Sequence, residues 1–247
     1  MIPKVIHYCW FGNKEIPSNV KKCIDSWREK CPDYEIICWN EKNYSIDHTC
    51  EFVRNAYKCK KWAFVSDYAR LDIVYRHGGI YLDTDVELIK PLSPLIEEKR
   101  GFFGFEQPTV INTGIGFACE KQEPILKEMM EIYAKKVFNP DNMFEFACPI
   151  INTYILEKHG LLKNNEYQII EGIQILPTDY LCPENLLDGS SNYTNNTVSI
   201  HHYNASWVPQ NERYKMKAII LVKKLLPNKM VQCIRRIVRC VKRRMID

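Results

Sequence analysis

The chain contains no apolar run near the ~20 residues that a membrane-spanning helix requires. It has no Gly-x-x-x-x-Gly-Lys-Ser/Thr, so a P-loop phosphate cradle, and with it a P-loop nucleotidase, is disfavoured. Its eleven cysteines include no Cys-x-x-Cys, and the spacings of small zinc sites and redox pairs are therefore missing. No secretory leader is evident, because Pro3-Lys4-Val5-Ile6-His7-Tyr8 already has the pattern of a first strand. Many thiols without an export signal lead us to expect a reducing, cytoplasmic setting. Internal repeats and low-complexity linkers are absent too.

What is present is an ordinary globular composition, 46% hydrophobic and 26% charged over 247 residues. That length is ample for one large core or a core with appendages. The net charge of +4 conceals an asymmetry. Twelve of the 34 Lys and Arg lie from Arg213 onward beside one acid, Asp247, which leaves 22 bases against 29 acids in 1–212, a net of −7. We therefore divide the chain into a body, 1–212, and a basic tail, 213–247. In the tail, Met230, Ile234, Ile237, Val238 and Val241 form a helical apolar stripe flanked by Arg235, Arg236, Arg239, Lys242, Arg243 and Arg244. A basic amphipathic helix of this kind fits an anionic membrane surface, at roughly 1 kcal/mol per basic residue. Without interleaved aromatics, nucleic acid is not an expected partner.

Along the body, Lys4–Cys9 is an expected strand. A helix follows, opened by Pro17-Ser18, striped by Val20, Ile24 and Trp27, and closed at Pro32; Glu35–Trp39 is a second strand. This βαβ opening predicts an α/β fold with a parallel sheet. A helix is expected over Ala63–Arg76, ended by Gly78-Gly79. Phe102–Phe105, Ile115–Ala118, Ile173–Leu176 and Val198–Tyr203 are expected strands. Residues 121–160 are expected to be helical with a break at Asn139-Pro140, and 188–197 a loop.

The most informative string is Gly78-Gly79-Ile80-Tyr81-Leu82-Asp83-Thr84-Asp85. Carboxylates at i and i+2 lie on one side of an extended backbone and can face one hard cation, Mn²⁺ or Mg²⁺. Asp67 and Arg70 share a helix face, as an ion pair or as a carboxylate for ribose hydroxyls and a fork for phosphate. Tyr81, two before Asp83, lies on the same face, either as a packed aromatic or as a donor to phosphate.

Ala63-x-x-Ser66-Asp67-x-x-Arg70, then Gly78-Gly79-x-Tyr81-x-Asp83-x-Asp85, resembles the sugar-binding region of glycosyltransferase family 32. So does the opening Ile6-His7-Tyr8-Cys9-Trp10-Phe11-Gly12. The resemblance covers roughly residues 1–120, with a further patch at 200–207. It implies a GT-A-type, Rossmann-like fold with a mixed, mainly parallel sheet flanked by helices. It also implies retaining transfer of a hexose or N-acetylhexosamine from a nucleotide-diphosphate sugar to a glycan. Residue by residue, it implies that Trp10 stacks on the base and that Ser66, Asp67 and Arg70 bind the donor. It puts Tyr81 on the phosphate side, Asp83 beside the donor sugar, and Asp85 directly on the metal. Asn112 would stand beside the reacting sugar, though Asn-x-Gly is also a plain turn signal. Ser206 and Trp207 would grip the diphosphate, and His202, with His201 in reserve, would complete the metal shell.

UDP-sugars head the expected donors, with GDP-mannose second. The acceptor is a glycan, lipid-linked if the tail meets a membrane, as in capsule or surface polysaccharide synthesis on the inner face of the plasma membrane. Two rivals stand beside this reading. In an Asp-x-Asp phosphatase the first Asp attacks phosphorus, but the fifth position here is Glu87 rather than Thr or Val. A carbohydrate-binding scaffold with a decayed site sits poorly with intact Asp67, Arg70, Asp83 and Asp85.

Overall fold

The computed structural model describes residues 1–185 and 189–204, apart from the side chains of 142–144. The tail 213–247, the boundary at 212, and Ser206 and Trp207 lie outside the described residues. One compact unit comprises 1–183 and 192–204. The described part of a second unit is residues 184–185 and 189–191, with an antiparallel bridge between Glu184 and Ser191.

In chain order the main unit runs β1 (Val5–Cys9), α1 (Ser18–Lys30), β2 (Glu35–Trp39), α2 (Glu51–Lys58), α3 (Trp62–His77) and β3 (Gly79–Tyr81). Next come β4 (Val86–Leu88), α4 (Ser93–Ile96), β5 (Gly101–Gln107), β6 (Val110–Ile111), β7 (Phe117–Cys119) and α5 (Pro124–Ala134). The last elements are α6 (Cys148–Lys158), β8 (Gln168–Ile170), β9 (Ile173–Leu176), α7 (Thr178–Leu181) and β10 (Ser199–His201). The main sheet has the order β2-β1-β3-β7-β5-β9-β8, with β6 paired to β5, while β10 and β4 form a separate antiparallel pair. β1 is parallel to β2 and β3, β5 is parallel to β9, and β7 and β8 run against their neighbours. Five of the seven strands on the main path therefore share one direction. This is the mixed, mainly parallel α/β sheet expected, flanked by helices.

Its central strands are buried on both faces, as parallel strands covered by helices must be. Along β3, Tyr81 joins one core cluster with Phe103, Phe117 and α3, whereas Ile80 and Leu82 join the other with Trp27 and Val20 of α1. The Trp27 indole donates to the carbonyl of Val86 at 2.8 Å, and the Ser26 hydroxyl accepts from the amide of Leu88 at 2.9 Å. Helix α1 is thereby tied to the strand that leaves the acidic pair. At the end of α3 two glycines are required. Gly78 and Gly79 have φ of +70° and +102°, and a Cβ on Gly79 would lie 2.9 Å from the carbonyl of Val5. The chain thus reverses from α3 directly into β3 against β1, which fixes where Asp83 emerges.

The expected elements are largely found, with some differences. The strand expected at Ile115–Ala118 begins at Phe117, because 113–115 form a 3₁₀ turn and Gly116 has φ of +121°. The late strand stops at His201, since Tyr203 turns the chain with φ of +49°. Helices α2, α4 and α7 and strands β4, β6 and β8 were not anticipated.

His7 on β1 gives a pH prediction. Its Nδ1 accepts from the Trp39 indole at 3.1 Å, so Nε2–H donates to the Gly78 carbonyl at 2.9 Å and the ring is neutral. Burial lowers its pKa to about 4. The unfolded chain takes up this proton near pH 6.5, so stability is full above that value and falls as pH drops from about 6.5 toward about 4. By linkage the loss reaches roughly 3 kcal/mol. Urea midpoints at pH 7.5 and 4.5 should differ more in the wild type than in His7→Gln; equal differences would contradict this.

Candidate active site

The acidic pair lies just beyond the carboxyl end of β3, the edge at which open α/β sheets bind ligands. Behind it, α3 is buried on nearly all sides and carries a charged pair inside the protein. Arg70, only 3% exposed, places Nη2 3.0 Å from Asp67 Oδ1 and 3.1 Å from Asp83 Oδ1. Its Nε donates to the Ser66 carbonyl at 3.1 Å, and its guanidinium lies 4.9 Å from the centre of the Tyr81 ring. The Tyr81 hydroxyl donates to Asp83 Oδ1 at 3.0 Å. Arg70 and Tyr81 are therefore both engaged with Asp83. Ser66, half-buried, takes part through its carbonyl.

Burial raises the Asp67 carboxyl, against the charge of Arg70. Burial likewise pushes Asp83 up to about 6, opposed by Arg70 and reinforced by Asp85. Asp85 behaves oppositely. Burial would raise it, but the charge and hydrogen bond of His201 and the amide of Asn204 hold it at about 2. His201 Nε2 is 3.3 Å from Asp85 Oδ1, and the Asn204 amide donates to Oδ2 at 2.9 Å. The same pairing overcomes burial to hold the His201 pKa well above its ordinary value.

His202, the histidine expected at Asp85, is corrected here. Its ring bonds Glu87 at 2.7 Å on the surface, while its amide donates to the carbonyl of Asp85 at 2.9 Å. The reserve residue His201 is the one that faces the pair. β10 pairs with β4 so that His201 lies opposite Val86, and the next side chain points the other way.

Asn112 is brought to the same place. Its Oδ1 accepts from the Gly114 amide at 2.7 Å and from the Cys148 thiol at 3.1 Å, and its Nδ2 donates to Glu106 at 3.0 Å. A Cβ on Gly114 would lie 2.6 Å from Asp83 Oδ2, 2.9 Å from Arg70 Nη1 and 3.0 Å from Asn112 Oδ1. Three polar side chains thus converge on one glycine. Gly114→Ala should lower turnover by about 100-fold by displacing Asp83, with a modest stability cost; steady-state kinetics at wild-type levels would contradict that crowding.

Glu106, Cys148, Gly114 and the Asn204 amide were not anticipated. The acidic end of the apolar run Phe102–Phe105 is a signal for Glu106. Cys148, at the start of α6 and 36 residues from Asn112, carries none. Trp10 follows β1 at the same sheet edge, half-buried, with its indole donating to the Lys14 carbonyl at 2.7 Å.

Residues 17–102 match the family model described as the glycosyltransferase sugar-binding region containing the DXD motif. Asp83-Thr84-Asp85 supplies that motif. Over those residues the chain is similar to the sugar-binding region of DXD-containing glycosyltransferases. The chain is 31% identical over 150 residues to inositol phosphoceramide mannosyltransferase 3 of Schizosaccharomyces pombe, covering 56% of the chain and 39% of that relative. An uncharacterized glycosyltransferase of Acanthamoeba polyphaga mimivirus is 26% identical over 223 residues, 85% of each chain. Among solved structures, PaToxG glycosyltransferase superposes with a TM-score of 0.49 at 21% identity, covering 64% of this chain and 68% of that one. The chain spans about two fifths of the length of the first fungal relative.

Proposed function

We propose that this chain is a metal-assisted, retaining glycosyltransferase that moves a hexosyl unit from a nucleotide-diphosphate sugar to a glycan or glycolipid acceptor. The observation that carries the reading is the convergence of Asp83, Arg70, Tyr81 and Asn112 around Gly114, with Asp85 held ionised two residues on. A structural ion pair needs Arg70 and one carboxylate. It does not need a second carboxylate kept at about 2 by its own histidine and backbone amide.

The donor set fits Mn²⁺ or Mg²⁺, since both carboxylates offer hard oxygens. Among the described residues no group of three or more His, Cys, Asp or Glu is arranged to hold a metal. Asp85 and Asp83 would hold the ion while diphosphate and water complete its shell, as Mg²⁺ sites commonly do. Bound there, it would neutralise the departing diphosphate. The protein's own residues do the rest. Arg70 and Tyr81 lock Asp83 in one orientation, and Asn112, its amide fixed on both sides, presents a rigid edge to the sugar. No residue is nominated as a nucleophile. As the sugar–phosphate bond breaks and the acceptor oxygen bonds the same face, the leaving phosphate takes the acceptor's proton.

The mannosyltransferase names of the fungal relatives favour a hexosyl unit over an N-acetylhexosaminyl one. Thermal shifts with UDP, GDP and their hexoses, each with Mn²⁺ and with EDTA, test the reading. A ligand at ~100 times its dissociation constant adds about 2.7 kcal/mol. A shift present only with metal supports the site, and no shift with any nucleotide would refute it. Product formation that depends on metal separates it from the phosphatase and scaffold rivals.

The basic segment 213–247 supports a peripheral place on the cytoplasmic membrane face, near a lipid-linked acceptor. Deleting residues after 212 should leave donor hydrolysis intact and abolish binding to anionic liposomes; undiminished liposome binding would contradict it.

A further inference from the structure

The edge that carries Asp83 holds a second carboxylate whose hydrogen bonding is incomplete. Glu41 follows β2, and its Oε1 accepts from the Gly12 amide at 2.7 Å and from the Tyr57 hydroxyl at 3.2 Å. Its Oε2 is shielded from solvent and has no donor among the described residues. A carboxylate oxygen removed from water without a donor is costly, which marks it as an acceptor awaiting a partner. Its surroundings are those of a binding loop. Gly12, with φ of +95°, lies two residues beyond Trp10, and a Cβ there would meet the Trp62 ring at 2.8 Å. Trp62 also packs edge-on against Tyr57, with ring centres 5.1 Å apart. Both partners of Oε1 thus touch Trp62, and Gly12, Tyr57 and Trp62 are all half-exposed.

The position along the sheet matters equally. Cys9 pairs with Trp39, and the Trp10 amide donates to the Trp39 carbonyl at 2.8 Å, so the Trp10 loop and Glu41 leave the same edge side by side. β2 is two strands from β3, about 10 Å away. A nucleoside diphosphate with its phosphates at Asp83 and Asp85 covers that distance to its base.

We propose that Glu41 is the base-reading residue of this site, and that the base it selects is guanine. The inference rests on the nucleotide-sugar reading above and reverses the expected order of donors, in which uracil came first. Guanine presents two adjacent donors, N1–H and the exocyclic N2–H₂, which suit a shielded carboxylate oxygen that has no donor of its own among the described residues. Uracil has one donor, N3–H, flanked by two carbonyl oxygens that a carboxylate repels. Adenine and cytosine offer an exocyclic amine beside a ring acceptor. A site built to satisfy a buried polar group discriminates strongly against ligands that leave it unpaired. Trp10 and Trp62 supply aromatic faces near the base, but stacking is tolerant of base identity and Glu41 supplies the choice.

Titration calorimetry of the full chain with GDP, IDP and UDP in Mn²⁺ tests this, on wild type and on Glu41→Gln. Because the Gly12 amide requires an acceptor at the Oε1 position, the glutamine turns its NH₂ to where Oε2 stood. The wild type should bind GDP at least tenfold more tightly than UDP, with IDP, which lacks the exocyclic amine, in between. Glu41→Gln should lower GDP affinity at least tenfold and bring it close to UDP. The IDP comparison needs no variant and survives any folding defect. A wild-type preference for UDP, or a GDP:UDP ratio unchanged by Glu41→Gln, would overturn the role of Glu41 while leaving the transferase reading intact. Binding of no nucleotide at all would overturn both.

Discussion

Asp85→Asn should lower turnover by two to three orders of magnitude while the fold persists, with some loss of melting temperature because the buried His201 loses its counter-charge. Asparagine keeps an acceptor oxygen for the Asn204 amide, so the turn after β10 persists. What disappears is the negative charge that His201 and the amide hold in place. Removing one group aimed at charge that develops in the transition state typically costs about 10²–10³ in rate. If Asp85 acts through charge at the diphosphate, the loss will appear in turnover measured at saturating metal and donor. A loss confined to the apparent metal affinity, fully rescued by excess Mn²⁺, would assign Asp85 to metal recruitment alone. Wild-type activity at ordinary metal concentrations would remove it from the site.

Arg70→Leu should act chiefly on stability. Arg70 is the shared counter-charge of Asp67 and Asp83, and Asp67 is itself buried. Deleting one partner of a buried ionic cluster costs about 3–5 kcal/mol, because uncompensated charge is left behind. For a domain of this size that corresponds to a fall of about 10 °C or more in melting temperature. The cost depends on pH in a defined sense. Losing Arg70 removes what opposes the upward push of burial on both carboxyls, so part of the penalty can be relieved by protonating them, and the variant should be least destabilised in mild acid. Arg70→Lys keeps a charge but not the fork that spans two carboxylates. It should recover much of the stability while leaving Asp83 loosely held and turnover low. Full recovery of turnover by lysine would show that charge, not geometry, is what Arg70 supplies.

Much of this site could be read from the string Ala63–Asp85. Two glycines end α3, a short apolar strand follows, and the acids fall at its exit, so local pattern and global topology coincide there. The limits are equally physical. An i,i+3 spacing shows that Asp67 and Arg70 share a helix face but not whether that face meets solvent, and α3 turned out to be buried nearly all round. The choice between His201 and His202 depended on the register of β10 against β4, a pairing between segments more than 100 residues apart. Glu106 and Cys148 reach Asn112 across a hairpin and from the start of another helix, contacts that no local periodicity encodes. Glu41 was invisible for a different reason. Its significance lies in an oxygen without a donor, which only the assembled packing of Gly12, Tyr57 and Trp62 can show. Helix α2, which supplies Tyr57, was passed over although Phe52, Val53 and Ala56 have helical spacing.

The most direct measurement is release of labelled sugar from nucleotide-diphosphate hexoses by the purified chain, with Mn²⁺ and with EDTA. Donor turnover in the presence of metal, lost in EDTA and in Asp85→Asn, is the expected result. Release that is indifferent to EDTA and to Asp85→Asn, or no release from any nucleotide hexose with or without acceptor, would contradict a metal-assisted transferase site at Asp83 and Asp85.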